Sequence, residues 1–167
     1  MNIDIAIDSL TPCLIERATG EVLTTEMVPV KLKKKEYAGW NFDWSKPYKN
    51  GYEVYALKIV GTDQIQGLIA WKVDPENKAV QVDIAETAPH NFGSLGKYEG
   101  IGSHLFAFAC YKALQAGYDY IYFDAKTKLI EYYKERLGAL QIGDTQRMLI
   151  EGEGFNNLID AYYGGDK

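Results

Sequence analysis

The stretch from Ala79 to Ala125 constrains the fold more than any other part of the chain. "AVQVDIAE" (79–86) is a β-rich run. "IGSHLFAFACYKALQAG" (101–117) repeats Ile101, Leu105 and Phe108 at helical spacing, with Gly117 as a natural stop. "YDYIYFDA" (118–125) is an almost continuous apolar strand, as expected of a strand covered on both faces. A strand, a helix and a second strand in this order form a crossover, which places the two strands side by side and parallel.

The flanking segments extend this unit. "EVYALKIV", "IQGLIAWKV" and "AVQVDIAE" are strands separated by the short turns "GTDQ" and "DPENK", so they pair antiparallel as a meander. Before them, "CLIERA" and "EVLTTEMVPV" read as a hairpin around Thr19-Gly20. "KLKKKEYAGWNFDWSKPYKNGY" is an irregular connection with a helical turn. After the apolar strand, "TKLIEYYKERLG" is a helix capped by Thr127 and stopped by Gly138. "QRMLIEG" is a further strand and "FNNLIDAYY" a terminal amphipathic helix. The expected fold is α/β (α+β): a mixed, mostly antiparallel central sheet with one parallel βαβ crossover and helices on both faces. It forms one domain over 1–167, with a divergent hairpin and connection at 1–51, a core at 52–150 and a C-terminal helix at 151–167.

A net charge of −5 argues against nucleic acid as the main partner, because phosphate binding needs a basic surface. The one basic run, Lys31–Lys35, is expected to be a solvated face. No apolar run reaches membrane-spanning length, and the first ten residues carry acids where a signal peptide has Lys or Arg. The expectation is a cytoplasmic protein without a membrane partner; a homodimer is compatible with the sequence. Cys13 and Cys110 have neither metal-ligand nor C-x-x-C spacing, and two scattered histidines complete no metal set. Both cysteines are expected to be reduced and catalytically idle.

The chemistry centres on "KYEGIGSHLF" (97–106). A P-loop requires Ser or Thr after Gly96-Lys97, where Tyr98 stands. A dinucleotide fingerprint requires a third glycine where Leu105 stands. What remains is a strand, a loop, and Gly-x-Gly opening a helix: backbone N–H groups aimed at one spot, with the helix dipole favouring an anion there. Lys97-x-x-Gly100-x-Gly102 resembles the Gln/Arg-x-x-Gly-x-Gly/Ala signature of the GNAT acyltransferase superfamily, with Lys97 in place of Gln or Arg. "AKTKLIEYYKERLGA" resembles that family's second cofactor segment, with Lys126 where an Asn is common and Ala139 where a Phe is usual. The resemblance covers roughly Tyr52 to Ile150; the first fifty residues, which shape the acceptor site in that family, match poorly.

The resemblance implies transfer of an acetyl group from acetyl-CoA to a primary amine of a small molecule or a protein, without a metal. It implies cofactor contacts from Ala85 and Thr87 on the strand, from Lys97, Tyr98, Glu99, Gly100, Ile101, Gly102 and Ser103 in the loop, and from Lys126 and Tyr133. The alternative is a catalytically silent domain of the same fold that binds a CoA thioester or a protein partner.

Acyl transfer to an amine needs a proton acceptor and an acid for the departing thiolate. Tyr133 shares the inward face of its helix with Leu129 and Leu137, so its hydroxyl is the candidate acid; Tyr132 lies on the wetter side. Glu86 closes the period-two face Val80, Val82, Ile84, Glu86 and is the candidate base, with His90 as the other. His104 is expected to face solvent or pack. Trp40, Phe42 and Trp44 wall the acceptor cleft or pack in the core.

Overall fold

The computed structural model describes residues 14–91 and 96–163. Cys13 therefore lies outside the described residues. The opening hairpin is present, but divided. β1 (Leu14–Glu16) pairs with β2 (Val22–Leu23), while β3 (Thr25–Pro29) leaves it and becomes the edge of the main sheet. The connection after β3 holds a 3-10 turn at Lys34–Glu36 and the short α1 (Lys46–Lys49). The meander follows as β4 (Glu53–Ile59), β5 (Ile65–Asp74) and β6 (Ala79–Thr87), all antiparallel.

The crossover is also present. α2 (Ile101–Gln115) joins β6 to β8 (Tyr120–Asp124), and the two strands pair parallel. Between them, β7 (Tyr98–Glu99) forms from residues expected to be loop. Its partner β1 lies some eighty residues earlier, so no local pattern announces it. α3 (Ile130–Leu137) follows a 3-10 turn at Thr127–Leu129, and Gly138 stops it in a left-handed conformation (φ +66°). Thr127 does not cap: it lies inside the 3-10 turn, and that turn has no side-chain cap bond. β9 (Leu140–Gln141), β10 (Arg147–Glu151) and α4 (Gly152–Tyr163) complete the chain. The main sheet runs β3-β4-β5-β6-β8-β10-β9, antiparallel except at β6–β8, and β2-β1-β7 form a small second sheet.

Strand alternation divides the core in two. Leu57, Ile59, Ile69, Trp71, Val80 and Val82 pack under α2, α3 and α4. Val54, Ala56, Leu68, Ala70 and Ile84 pack on the other face under Trp44 of the 31–52 connection. α2 is buried from Ile101 to Cys110, because the sheet covers one side and α4 another. Phe106, Phe123 and Tyr133 form a mutual ring cluster, with centroids 4.9, 5.5 and 5.9 Å apart. Such pairs add about 0.5–1.5 kcal/mol each beyond their area burial.

Candidate active site: a cleft between diverging strands

β6 and β8 pair at only two positions, Val80 with Ile121 and Gln81 with Tyr122. Beyond these, the rest of β6 has no strand beside it on this edge among the described residues. What its main chain offers there follows from the other edge. The Ala88 N–H donates to the Gln66 carbonyl (2.9 Å), so by antiparallel alternation Glu86 and Ile84 exchange bonds with β5. The intervening residues, Ala85 and Thr87, point their N–H and C=O groups away from β5, into the cleft. The buried Thr87 hydroxyl has no partner among the described residues. A buried polar atom without a partner is costly and marks a place where a ligand or water supplies the bond.

The register of β6 is broken once. Ala70 faces Ile84 and Trp71 faces Val82, which leaves Asp83 as an extra, bulged residue. The bulge reverses the alternation. Val80 and Val82 face α2, whereas Ile84 packs on the opposite face. The expected face of Val80, Val82, Ile84 and Glu86 is thus split, and Glu86 lies on the side of the 31–52 connection. It is fully buried there and accepts the Asn41 N–H (2.6 Å), the Phe42 N–H (3.2 Å) and the Trp44 Nε1–H (2.8 Å). Asp83 sits half-buried at the fork where β6 and β8 part. Burial raises its carboxyl pKa above the ordinary value.

At the other end of the cleft, Gly100 (φ +92°) begins α2, and the first intrahelical bond runs from the His104 N–H to the Gly100 carbonyl (3.0 Å). The N–H groups of Ile101, Gly102 and Ser103 therefore have no partner inside the helix. The Ser103 hydroxyl lies 2.7 Å from that of Tyr162. Tyr98 and Glu99 differ from expectation. The Arg17 N–H donates to the Lys97 carbonyl (2.9 Å), so by the same alternation Ile15 and Glu99 exchange main-chain bonds and the Glu99 N–H is engaged. The Lys97 ammonium is exposed, 3.9 Å from Glu16. The Arg17 guanidinium donates to the Gly96 carbonyl (3.2 Å) and lies 3.5 Å from Glu99. It is a cation beside the start of α2 that reading the sequence missed, for it follows β1, which is remote in the chain.

Tyr133 faces inward as its spacing predicts. It is fully buried against Phe123 of β8, while Tyr132 is half-buried and lies 5.6 Å from the Arg136 guanidinium. Lys126 precedes the 3-10 turn that leads into α3. His90 follows β6 in a turn held by the bulged Gln66, whose Oε1 lies 3.0 Å from His90 Nε2 and accepts the Asn91 amide (2.7 Å). Desolvation and then Lys97 lower the His90 pKa. His104 packs rather than facing solvent: it is buried beside Thr25, and burial lowers its pKa to about 4. Cys110 is a free, buried thiol whose pKa burial raises. Among the described residues, no three His, Cys, Asp or Glu side chains group as metal ligands, and no helix is long and apolar enough to cross a membrane.

No protein-family model matches this chain, and no curated protein matches its sequence. Solved structures resemble it in fold. A putative GNAT-family acetyltransferase from Desulfovibrio desulfuricans is 13% identical, with 78% of this chain and 99% of that one covered at a TM-score of 0.57. A Bacillus subtilis acetyltransferase in complex with CoA is 12% identical, covering 77% and 99% at 0.55. A mutant of the AtaT toxin, bound to acetyl-CoA and to the C-terminus of the antitoxin AtaR, is 11% identical, covering 81% and 98% at 0.52. The chain thus has the fold of the GNAT acetyltransferases, and the cleft between β6 and β8 lies at the crossover of that fold.

Proposed function

We propose that this chain is an N-acetyltransferase that moves an acetyl group from acetyl-CoA to a primary amine of a small molecule or a protein. One observation carries the reading. The edge of β6 turns the main-chain groups of Ala85 and Thr87 into a cleft that begins near the N-terminus of α2 and closes where β6 and β8 meet. An extended pantetheine arm laid along that edge bonds to Ala85 and Thr87 as an added strand would. Its pyrophosphate meets the N–H groups from Gly100 to Ser103, with Lys97 and Arg17 as nearby cations and the main chain of Tyr98 and Glu99 shaping the loop. Lys126 flanks the second side of the cofactor. The thioester then reaches the fork beside Asp83.

There the amine nitrogen, having lost a proton, attacks the thioester carbon. The C–N bond forms, the C–S bond breaks, and the thiolate leaves. Tyr133, delivered by α3 to the β8 side, gives its phenolic proton to the thiolate, and its phenolate takes the second proton that the nitrogen sheds on becoming the amide. The first proton, lost from the ammonium before attack, goes to a carboxylate on β6. Of the two present, Glu86 already accepts three N–H bonds. Asp83 has no hydrogen-bond or ion-pair partner among the described residues. We therefore assign the proton to Asp83, with Glu86 behind it; His90 lies nearer the anion end of the cleft.

Calorimetry with acetyl-CoA tests the reading, together with thiol release over a panel of primary amines. Gly102→Glu places bulk and negative charge where phosphate is proposed to sit. It should abolish acetyl-CoA binding; because Gly102 is buried, a urea unfolding curve of the variant separates loss of the site from loss of the fold. Equal affinity in variant and wild type would remove the cofactor site from this loop.

A further inference from the structure

Glu86 is fully buried, on the face of β6 opposite the one its spacing predicts. Burying a carboxylate is costly unless donors surround it. Three donors come from one short stretch: the Asn41 N–H to Oε2 (2.6 Å), and the Phe42 N–H (3.2 Å) and Trp44 Nε1–H (2.8 Å) to Oε1. Consecutive backbone N–H groups gripping an anion form a nest. In this case the anion is the protein's own. The stretch it holds is aromatic. Trp44 is buried against Ala56, Leu68 and Ile84 and meets Trp40 edge to face at 6.4 Å, while Trp40 and Phe42 remain partly exposed above them. It covers β6 on the face opposite α2.

We propose that Glu86 is a positioning residue: the anchor that fixes residues 40–44 onto β6 as the acceptor-side wall of the cleft. The anchor itself needs no assumption about chemistry; the word acceptor rests on the acetyltransferase reading. Glutamine keeps the shape but fails the role. It offers one oxygen to three donors and turns an NH₂ toward them. Aspartate is one methylene too short.

Hydrogen exchange and NMR on the full chain test this. In Glu86→Gln, the Asn41 and Phe42 amides should exchange at least about tenfold faster, in keeping with the loss of bonds to a charged acceptor. The Trp44 indole N–H resonance should move upfield. The Trp71 indole, whose Nε1 has no partner among the described residues, is the internal control and should stay in place. Acetyl-CoA affinity should stay within about twofold, because the wall stands on the acceptor side. Trp44→Phe, which removes one donor and keeps an aromatic ring, should give a smaller acceleration at the same two amides, and it decides the matter if Glu86→Gln does not fold. Unchanged exchange at Asn41 and Phe42 overturns the anchor. A tenfold loss of acetyl-CoA affinity alongside faster exchange overturns the placement on the acceptor side. Failure of the wild type to bind acetyl-CoA would sink the enzymatic reading and leave the exchange result standing.

Discussion

Gly67 of β5 lies directly under Ile101 of α2: a Cβ at Gly67 would come within 2.9 Å of Ile101 Cγ2 and 3.2 Å of Leu105 Cδ1. The helix that follows the proposed anion loop therefore rests on the sheet at a point where there is no room for a methyl group. Gly67→Ala should push α2 outward and cost about 1–3 kcal/mol, as overpacking does. Because Ile101 is the first helical residue, acetyl-CoA binding should weaken as well. Urea unfolding measures the first effect and calorimetry the second; a variant of wild-type stability would show that the helix moves freely at this point.

Tyr133→Phe removes one oxygen and keeps the ring that packs on Phe106 and Phe123. If the hydroxyl protonates the departing thiolate, turnover should fall roughly ten- to a hundredfold, at the low end for a general acid, with acetyl-CoA affinity hardly changed. Tyr132→Phe should do little. The reverse pattern would transfer the acid to Tyr132, and normal turnover in both would leave the thiolate to depart unaided.

Asp83→Asn bears on the base. Asp83's raised pKa means the carboxylate forms at a higher pH than in an ordinary aspartate, and only that form accepts a proton. The wild-type kcat/KM should therefore rise with pH through a limb above the usual aspartate range. In Asp83→Asn the limb should vanish and the rate should fall about 10²-fold or more. A limb that survives in the variant assigns it to another group.

His104 couples stability to pH. Its folded pKa, about 4, lies below the unfolded value near 6.5 because burial disfavours the imidazolium. The unfolded chain thus binds more protons between these values, and stability falls as pH drops from about 6.5 toward 4. The whole effect amounts to roughly 3 kcal/mol. It is read as the pH 7 minus pH 5 difference in urea midpoint between wild type and His104→Gln, which should lack this slope. Parallel slopes would mean that His104 does not carry it.

The meander, the crossover, both long helices and the inward phase of Tyr133 were legible because each rests on periodicity within some ten residues. The features that escaped depend on distant pairing. β7 exists only because β1 lies beside it, and Arg17, the residue after β1, reaches the same loop. The reversal at Glu86 comes from a single extra residue, Asp83, in an otherwise regular alternation; "AVQVDIAE" contains no glycine or proline to mark it. The three-way grip on Glu86 was hidden for the same reason, since its donors lie more than forty residues away in the least regular part of the chain.

Among the described residues, the strand pairing that joins β3 through β6 to β8, β10 and β9 is two residue pairs, Val80–Ile121 and Gln81–Tyr122, helped by the Tyr120 and Tyr122 hydroxyls, which donate to the Asn77 carbonyl and to Asp74. Mechanically, the main sheet is two plates on a short hinge. The wide plate is ruled by long antiparallel ladders, whereas the narrow one is held to it by this seam and by the helices laid across both. A molecule wedged between the plates would splint the joint. Occupancy should therefore damp opening across β8 and β10 more than it damps the interior of β4 and β5, and the molecule should be stiffest when loaded.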